Sequence, residues 1–241
     1  PATKRPIHVH KFGGVSLADA DAVRHAARIV AAERGEGRDR RGTVVVVSAM
    51  AGVTDALLGM ARGVANGDGR DTSDQVEALR RRHAEAARAL VPAGDRRREL
   101  VDLVDASFRE LDELTRGILA LRELTPRTSD YVVARGERLS ARIVAAALVA
   151  GGVPAEYVDA VEVVQTDGRF GGAAPDLAGT DARARAALAP LLARGLVPVV
   201  PGFIGAASNG QLATLGRGGS DLTATLLGRA LGAREISLWK D

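Results

Sequence analysis

Two short segments set glycines, a cation and a helix start side by side, the combination that binds phosphate. In Lys11-Phe12-Gly13-Gly14-Val15-Ser16 a lysine is followed by two glycines whose backbone N–H groups can approach an anion, at a point where a helix is about to begin. Thr214-Leu215-Gly216-Arg217-Gly218-Gly219-Ser220-Asp221 gathers three glycines around an arginine, with Ser220 and Asp221 reading as a helix cap. A planar guanidinium there can grip a carboxylate or phosphate through two parallel bonds. Glycine at a strand-to-helix turn has conformational uses of its own, so the cations carry the argument. The chain holds 30 arginines and only three lysines, Lys4, Lys11 and Lys240, and a lysine at the end of a strand is therefore informative. Neither cradle is a Walker loop or a dinucleotide fingerprint, and the second strand ends in Ser48-Ala49 rather than in a ribose-binding acid, which disfavours nicotinamide chemistry. A single carboxylate, Glu137, opens a very apolar stretch. It reads either as a first-turn acid that complements the helix dipole or, if it faces the cradles, as the receptor of an ammonium group.

These residues need elements to hold them. Ile7 to Phe12 alternates like a strand, and Ser16-x-x-Asp19 has the form of a capping box before a helix that ends near Gly35. Thr43 to Val47 is β-branched throughout, the pattern of a central parallel strand covered on both sides. Strands are also expected at Ala155 to Val158, Val197 to Val200 and Glu235 to Trp239, with helices at 137–150, 181–194 and from Ser220 to Gly232. Between about residues 72 and 125, apolar residues recur at spacings of three and four. They predict two long helices that pair with each other or with a second subunit, and Thr125-Pro126 stops the second. His83 reads as a packed helix-face histidine because no second ligand stands at i+4. Strands alternating with helices predict an α/β fold, a mainly parallel sheet with helices on both faces and a helical insertion. In such folds ligands bind beyond the carboxyl ends of the strands, which is where both cradles fall.

Composition narrows the classes. At 241 residues the chain suits one large α/β domain, and 46% hydrophobic with 26% charged residues excludes disorder over its whole length. The net charge of +3 is too mild, and aromatics at 3% too scarce, for a nucleic-acid surface, so Arg80-Arg81-Arg82 and Arg96-Arg97-Arg98 read as solvated helix faces. The longest apolar stretch, Ile143 to Ala155, is broken by Gly151, Gly152 and Pro154 and is too short for a bilayer, and no signal sequence is evident. A cytoplasmic address with no membrane partner is expected. The lack of cysteine removes disulfides, thiolate metal sites and a cysteine nucleophile.

Six segments point further. Lys-Phe-Gly-Gly-x-Ser at 11–16, Val-Ser-Ala-Met-x-Gly-Val-Thr-Asp at 47–55, Glu-Leu-Thr-Pro-Arg at 123–127, Gly-Glu-Arg-Leu-Ser at 136–140, Pro-Gly-Phe-Ile-Gly at 201–205 and Leu-Gly-Arg-Gly-Gly-Ser-Asp at 215–221 together resemble aspartokinase, of the amino acid kinase fold. Their order matches from end to end, and Trp239-Lys240-Asp241 is similar to the start of that family's nucleotide-binding half. The resemblance implies that Lys11 contacts the transferring phosphoryl group and that Asp221 orients it. Gly13, Gly14 and Ser16 would cradle phosphate oxygens, with Gly218, Gly219, Ser220, Lys240 and Asp241 on the nucleotide side. Ser48, Gly52 and Thr54 would line the substrate site, Glu137 would take the ammonium of L-aspartate and Arg217 its α-carboxylate. It further implies ATP as phosphoryl donor, Mg²⁺ held mainly through the ATP phosphates with no metal ligands from the protein, 4-phospho-L-aspartate as product at the first step of lysine, threonine and methionine biosynthesis, and a homo-oligomer.

Alternatives are a relative of the same fold acting on glutamate, acetylglutamate or a nucleotide monophosphate, and a non-catalytic aspartate-binding fragment. Glu137 and Arg217 together favour a free α-amino acid. Val15 departs from the family, which usually has Thr or Ser there, and a missing hydroxyl costs about 1 kcal/mol where it bonds a ligand. Family members also continue past the position of Asp241, so residues 1–241 are expected to be a kinase domain truncated in its nucleotide half, binding ATP poorly.

Overall fold

The computed structural model describes residues 6–35, 37 and 41–240. Two strands form its spine, β1 (Ile7–Phe12) and β2 (Gly42–Val47), each buried beyond its first residue. Their alternating side chains serve two cores. Phe12, Val45 and Val47 pack into one, while Val9, Val44 and Val46 pack into the other. The first core is covered by α1 (Ala20–Arg34), α2 (Val53–Ala65), α3 (Thr72–Leu90), α4 (Asp95–Leu121) and α5 (Pro126–Ala150). After β3 (Ala155–Tyr157), the second core takes α6 (Ala160–Val163) and α7 (Leu177–Ala193). Then come β4 (Val197–Pro201), a hairpin of β5 (Ile204–Ala206) and β6 (Leu212–Thr214), α8 (Gly219–Leu231), which also packs on the second core, and β7 (Glu235–Trp239). The main sheet is parallel throughout, in the order β3-β4-β2-β1-β7, with helices on both faces.

Three local expectations need correction. The capping box at Ser16 is replaced by a single 3-10 turn over Val15–Leu17, whose bonds run from Leu17 N to Gly14 O (3.1 Å) and from Ala18 N to Val15 O (3.1 Å). That turn delays the helix, so Asp19 caps α1 and accepts from Ala22 N at 2.9 Å. The helix expected from Glu137 starts eleven residues earlier, because Pro126 occupies its first turn and Thr125 caps it, accepting from Thr128 N at 3.1 Å. Glu137 therefore stands mid-helix, and the dipole reading of it fails. Finally, α8 is not capped by Ser220-Asp221. Its N-cap is Gly218, in the left-handed region at φ +75°, where a Cβ would be strained, and Ser220 and Asp221 sit inside the first turn.

The insertion forms an antiparallel-type pair, α3 against α4, tied by Arg80 Nη1 to Asp105 Oδ1 at 2.7 Å. His83 is fully buried against the Phe108 ring, its Nδ1 2.7 Å from the Leu79 carbonyl, and burial pushes its pKa down to about 4. The expectation of solvated arginines fails at Arg82. Its guanidinium leaves the helix face to donate to the carbonyls of Ala51 (2.8 Å) and Ala18 (2.9 Å), joining the insertion to two loops at the end of the sheet. No described helix is long and apolar enough to cross a membrane.

Candidate active site

The loops after β1, β2, β4 and β7 and the first turn of α8 meet at the carboxyl edge of the sheet around a cavity of about 430 Å³. Its wall brings together Lys11, Gly13 and Gly14 from the first loop, Ser48, Gly52 and Thr54 from the second, Glu137 from α5, Arg217, Gly218, Gly219, Ser220 and Asp221 from the last cradle, and Lys240 after β7. Ser16 is not in the wall, since its hydroxyl donates to the Trp239 carbonyl at 3.4 Å. Asp241 lies outside the described residues. Val15 is 53% exposed and also stands outside the wall.

Lys11 points to the α8 side of the sheet by strand alternation, and there its buried ammonium lies 2.8 Å from Asp221 Oδ1. The other oxygen of the same carboxylate is 3.0 Å from Lys240 Nζ. Burial works against the Asp221 charge, yet the two lysines outweigh it and hold the carboxyl below its ordinary value. Sequence positions 11, 221 and 240 thus form one charge cluster carrying two cations and one anion. Neither α8 nor α2 has a side chain capping its N-terminus, and both begin in the cavity wall, so backbone N–H groups there remain for an anion. Parallel pairing sets the Trp239 carbonyl beside the first loop, where it accepts from Gly13 N at 3.0 Å.

Across the cavity the chemistry reverses. Glu137 is 3% exposed, accepts from the Thr54 hydroxyl at 3.2 Å through Oε1, and has no hydrogen-bond partner at Oε2 among the described residues. Gly136 makes this possible: a Cβ at that position would lie 2.9 Å from Ala49 Cβ and 3.1 Å from Val53 Cγ1, so only glycine lets α5 approach the β2 loop this closely. Burial pushes the Glu137 pKa up to about 7, opposed by the Thr54 hydroxyl bond and by the nearby backbone dipoles at Ala49 and at Glu137 itself. A buried carboxylate with a free oxygen is the group that a cationic ligand would satisfy. Arg217, exposed at the rim, has no ion-pair or hydrogen-bond partner among the described residues.

Phe203, which also lines the cavity, was not singled out from the sequence. It sits at φ +69°, a conformation costly for an aromatic residue, and is held there by its N–H donating to Thr223 Oγ1 (3.1 Å) and its carbonyl accepting from Leu215 N (2.8 Å). Nothing local in the sequence signals that strain.

Comparison with known proteins decides the family. The model described as the amino acid kinase family matches residues 6–241. The chain belongs to this family. As an amino acid kinase family member it is 35% identical over 240 residues to the lysine-sensitive aspartokinase 3 of Escherichia coli, covering 98% of this chain and 49% of that protein. It is 36% identical over 241 residues to the chloroplastic aspartokinase 1 of Arabidopsis thaliana, covering 97% of this chain and 40% of the relative. Among solved structures, the E. coli aspartokinase III in complex with aspartate and ADP superposes with a TM-score of 0.86 at 33% identity, over 98% of this chain and 49% of that one. The chain thus spans about half the length, or less, of the relatives it matches.

Proposed function

We propose that this chain is the phosphoryl-transfer domain of an aspartate kinase, moving the γ-phosphoryl group of ATP to the β-carboxylate of L-aspartate. The observation that carries the reading is the division of one cavity into two poles, the Lys11–Asp221–Lys240 cluster with its glycine loops, and the buried Glu137 with a free oxygen. Relatives named aspartokinases, one of them solved with aspartate and ADP, support the same choice. In this reading Glu137 takes the ammonium and Arg217 the α-carboxylate, while Ser48, Gly52 and Thr54 shape the space between. Gly14, Gly218 and Ser220 present backbone N–H groups to the phosphates, while those of Gly13 and Gly219 are taken by the carbonyls of Trp239 and Gly216 and shape the two loops.

The β-carboxylate is ionised at neutral pH, so no general base is required. An oxygen of that carboxylate forms a bond to the γ-phosphorus as the bond to the β,γ-bridging oxygen breaks, giving 4-phospho-L-aspartate and ADP. Catalysis reduces to holding two anions in line and neutralising charge as it develops. Lys11 supplies a fixed charge, and Asp221 keeps it aimed. Lys240 adds a second cation on the far side of Asp221. Mg²⁺ would neutralise the phosphate charge. In this reading the metal is held mainly through the ATP phosphates rather than by protein side chains. ATP as donor fits a cytoplasmic site of action, and a homo-oligomer remains part of the same proposal.

Calorimetry with MgATP and with L-aspartate, followed by ADP release in the presence of L-aspartate, L-glutamate, N-acetylglutamate or a nucleoside monophosphate, tests the reading. Binding and turnover selective for L-aspartate are expected. Preference for any other acceptor, or no binding of L-aspartate, overturns it.

A further inference from the structure

Helix α5 carries a second buried carboxylate. Asp130 is 2% exposed and lies seven residues before Glu137, two helical turns, so both project from one face. Among the described residues no cation pairs with it. Instead its Oδ2 accepts from the backbone N–H of Gly171 (2.9 Å) and of Thr214 (3.0 Å), and its Oδ1 accepts from the Thr214 hydroxyl (2.8 Å). Thr214 is the last residue of β6, and only Leu215 and Gly216 separate it from Arg217. The Thr214 carbonyl accepts from Ala173 N at 2.7 Å, so the segment around Gly171 and the root of the Arg217 loop are fastened to each other as well as to α5. Beyond that root Gly216 and Gly218 are both at positive φ, the Gly216 carbonyl accepts from Gly219 N at 3.0 Å, and Arg217 between them is exposed.

We infer that Asp130 is a positioning residue for substrate selection. By gripping the root of the Arg217 loop from the helix that carries Glu137, it sets the span between the group that would read the ammonium and the group that would read the α-carboxylate. The inference rests on the proposed roles of Glu137 and Arg217. A carboxylate suits the task because one side chain satisfies three donors at once, and bonds to an ionised acceptor are about twice as strong as neutral ones. The lysine cluster is held by other elements, β1, α8 and the end of β7, and Gly218 to Ser220 by the first turn of α8, so the loss of Asp130 should weigh on L-aspartate more than on the phosphates.

Two variants test it. Asp130→Asn removes the charge and turns the atom facing the Thr214 hydroxyl from an acceptor into a donor while keeping an oxygen for the two N–H groups, and Thr214→Val removes the hydroxyl bond alone. With both proteins folded, we expect KM for L-aspartate to rise about tenfold to a hundredfold in Asp130→Asn, and less in Thr214→Val. KM for ATP and kcat should stay within about threefold, and the preference for L-aspartate over L-glutamate should shrink. Hydrogen exchange in residues 212–218, measured without ligand, should quicken in both variants. A fall in melting temperature with an unchanged L-aspartate KM and unchanged selectivity would mean a structural role alone and overturn the inference. Unchanged exchange overturns it whatever the kinetics, and if Asp130→Asn fails to fold, Thr214→Val carries the same comparisons. Wild-type L-aspartate binding is measured first: its absence removes the proposed function and this inference together, whereas normal wild-type binding with unaltered variants removes only the inference.

Discussion

At the scale of single residues, two carboxylates of the cavity, Glu137 and Asp221, are pushed in opposite directions, and this makes them separable by pH. Glu137 is held protonated up to about pH 7 by burial, while Asp221 is held ionised by its two lysines in spite of burial. An ammonium ligand needs Glu137 charged, so L-aspartate affinity should climb from pH 5.5 to about 7 and then level, with a proton released on binding below that point. Calorimetry in buffers of different ionisation enthalpy measures the proton directly, and Glu137→Gln should abolish both the climb and the release. The same group affects folding. Its folded pKa lies above its unfolded one, so its contribution is complete below about pH 4.5 and is lost as pH rises through about 7. Wild-type stability relative to Glu137→Gln should therefore fall across that window in urea melts. Lys11 makes the other residue-scale prediction: in a preparation that turns over, Lys11→Ala should lower kcat by about 10² to 10³, the usual loss on removing one preorganised transition-state donor. Near-normal kcat in a folded variant would remove its assignment.

At the scale of elements, the helical insertion serves the site from outside it. Arg82 of α3 donates to Ala18, just past the first loop, and to Ala51, in the loop before α2 that lines the cavity, so one guanidinium ties these two segments together. Its neighbour Arg81 is exposed and makes no such bridge. Arg82→Met should cost about 1 to 3 kcal/mol in chemical denaturation, since two carbonyls lose charged donors, whereas Arg81→Met should stay within about 0.5 kcal/mol. Equal losses would show that the bridge is not holding the loops. The expectation of a solvated arginine face failed here because helical periodicity places a side chain on a face without showing what the neighbouring chain brings to it. Helix α5 teaches the same lesson. Pro126 reads as a stop for the helix before it, and it is also the first-turn proline of the helix after it, a difference that moves Glu137 from a helix end to a buried mid-helix position.

At the scale of the whole molecule, β1 pairs with a neighbour from each end of the chain, β2 on one side and β7 on the other. That pairing lets His10, buried in β1, accept from the indole N–H of Trp239 in β7 at 3.1 Å through Nδ1, while the Trp239 carbonyl holds Gly13 of the first loop. Burial, and then the nearby His8 and Arg41, push the His10 pKa down to about 3, which keeps the ring neutral and able to accept. Trp239 is the only tryptophan, so the emission reports the surroundings of this one indole, which comprise the His10 bond and the stacked Phe12 ring. His10→Leu should shift that emission and increase its quenching by acrylamide, and His10→Asn, which keeps an acceptor at the same place, should restore much of both. The strands, most helices and both glycine cradles were legible in the sequence because periodicity, β-branching and turn residues act between near neighbours. So was the gathering of Lys11, Glu137 and Arg217 around one cavity, through the motifs that carry the resemblance. Folding alone decided that Lys240 shares the Asp221 carboxylate with Lys11, that Glu137 is buried with one oxygen free, and that Asp130 grips the root of the Arg217 loop. Each of those facts depends on strand order and on helix-to-loop packing between segments far apart in the chain, and no spacing along a sequence encodes which distant segments will meet.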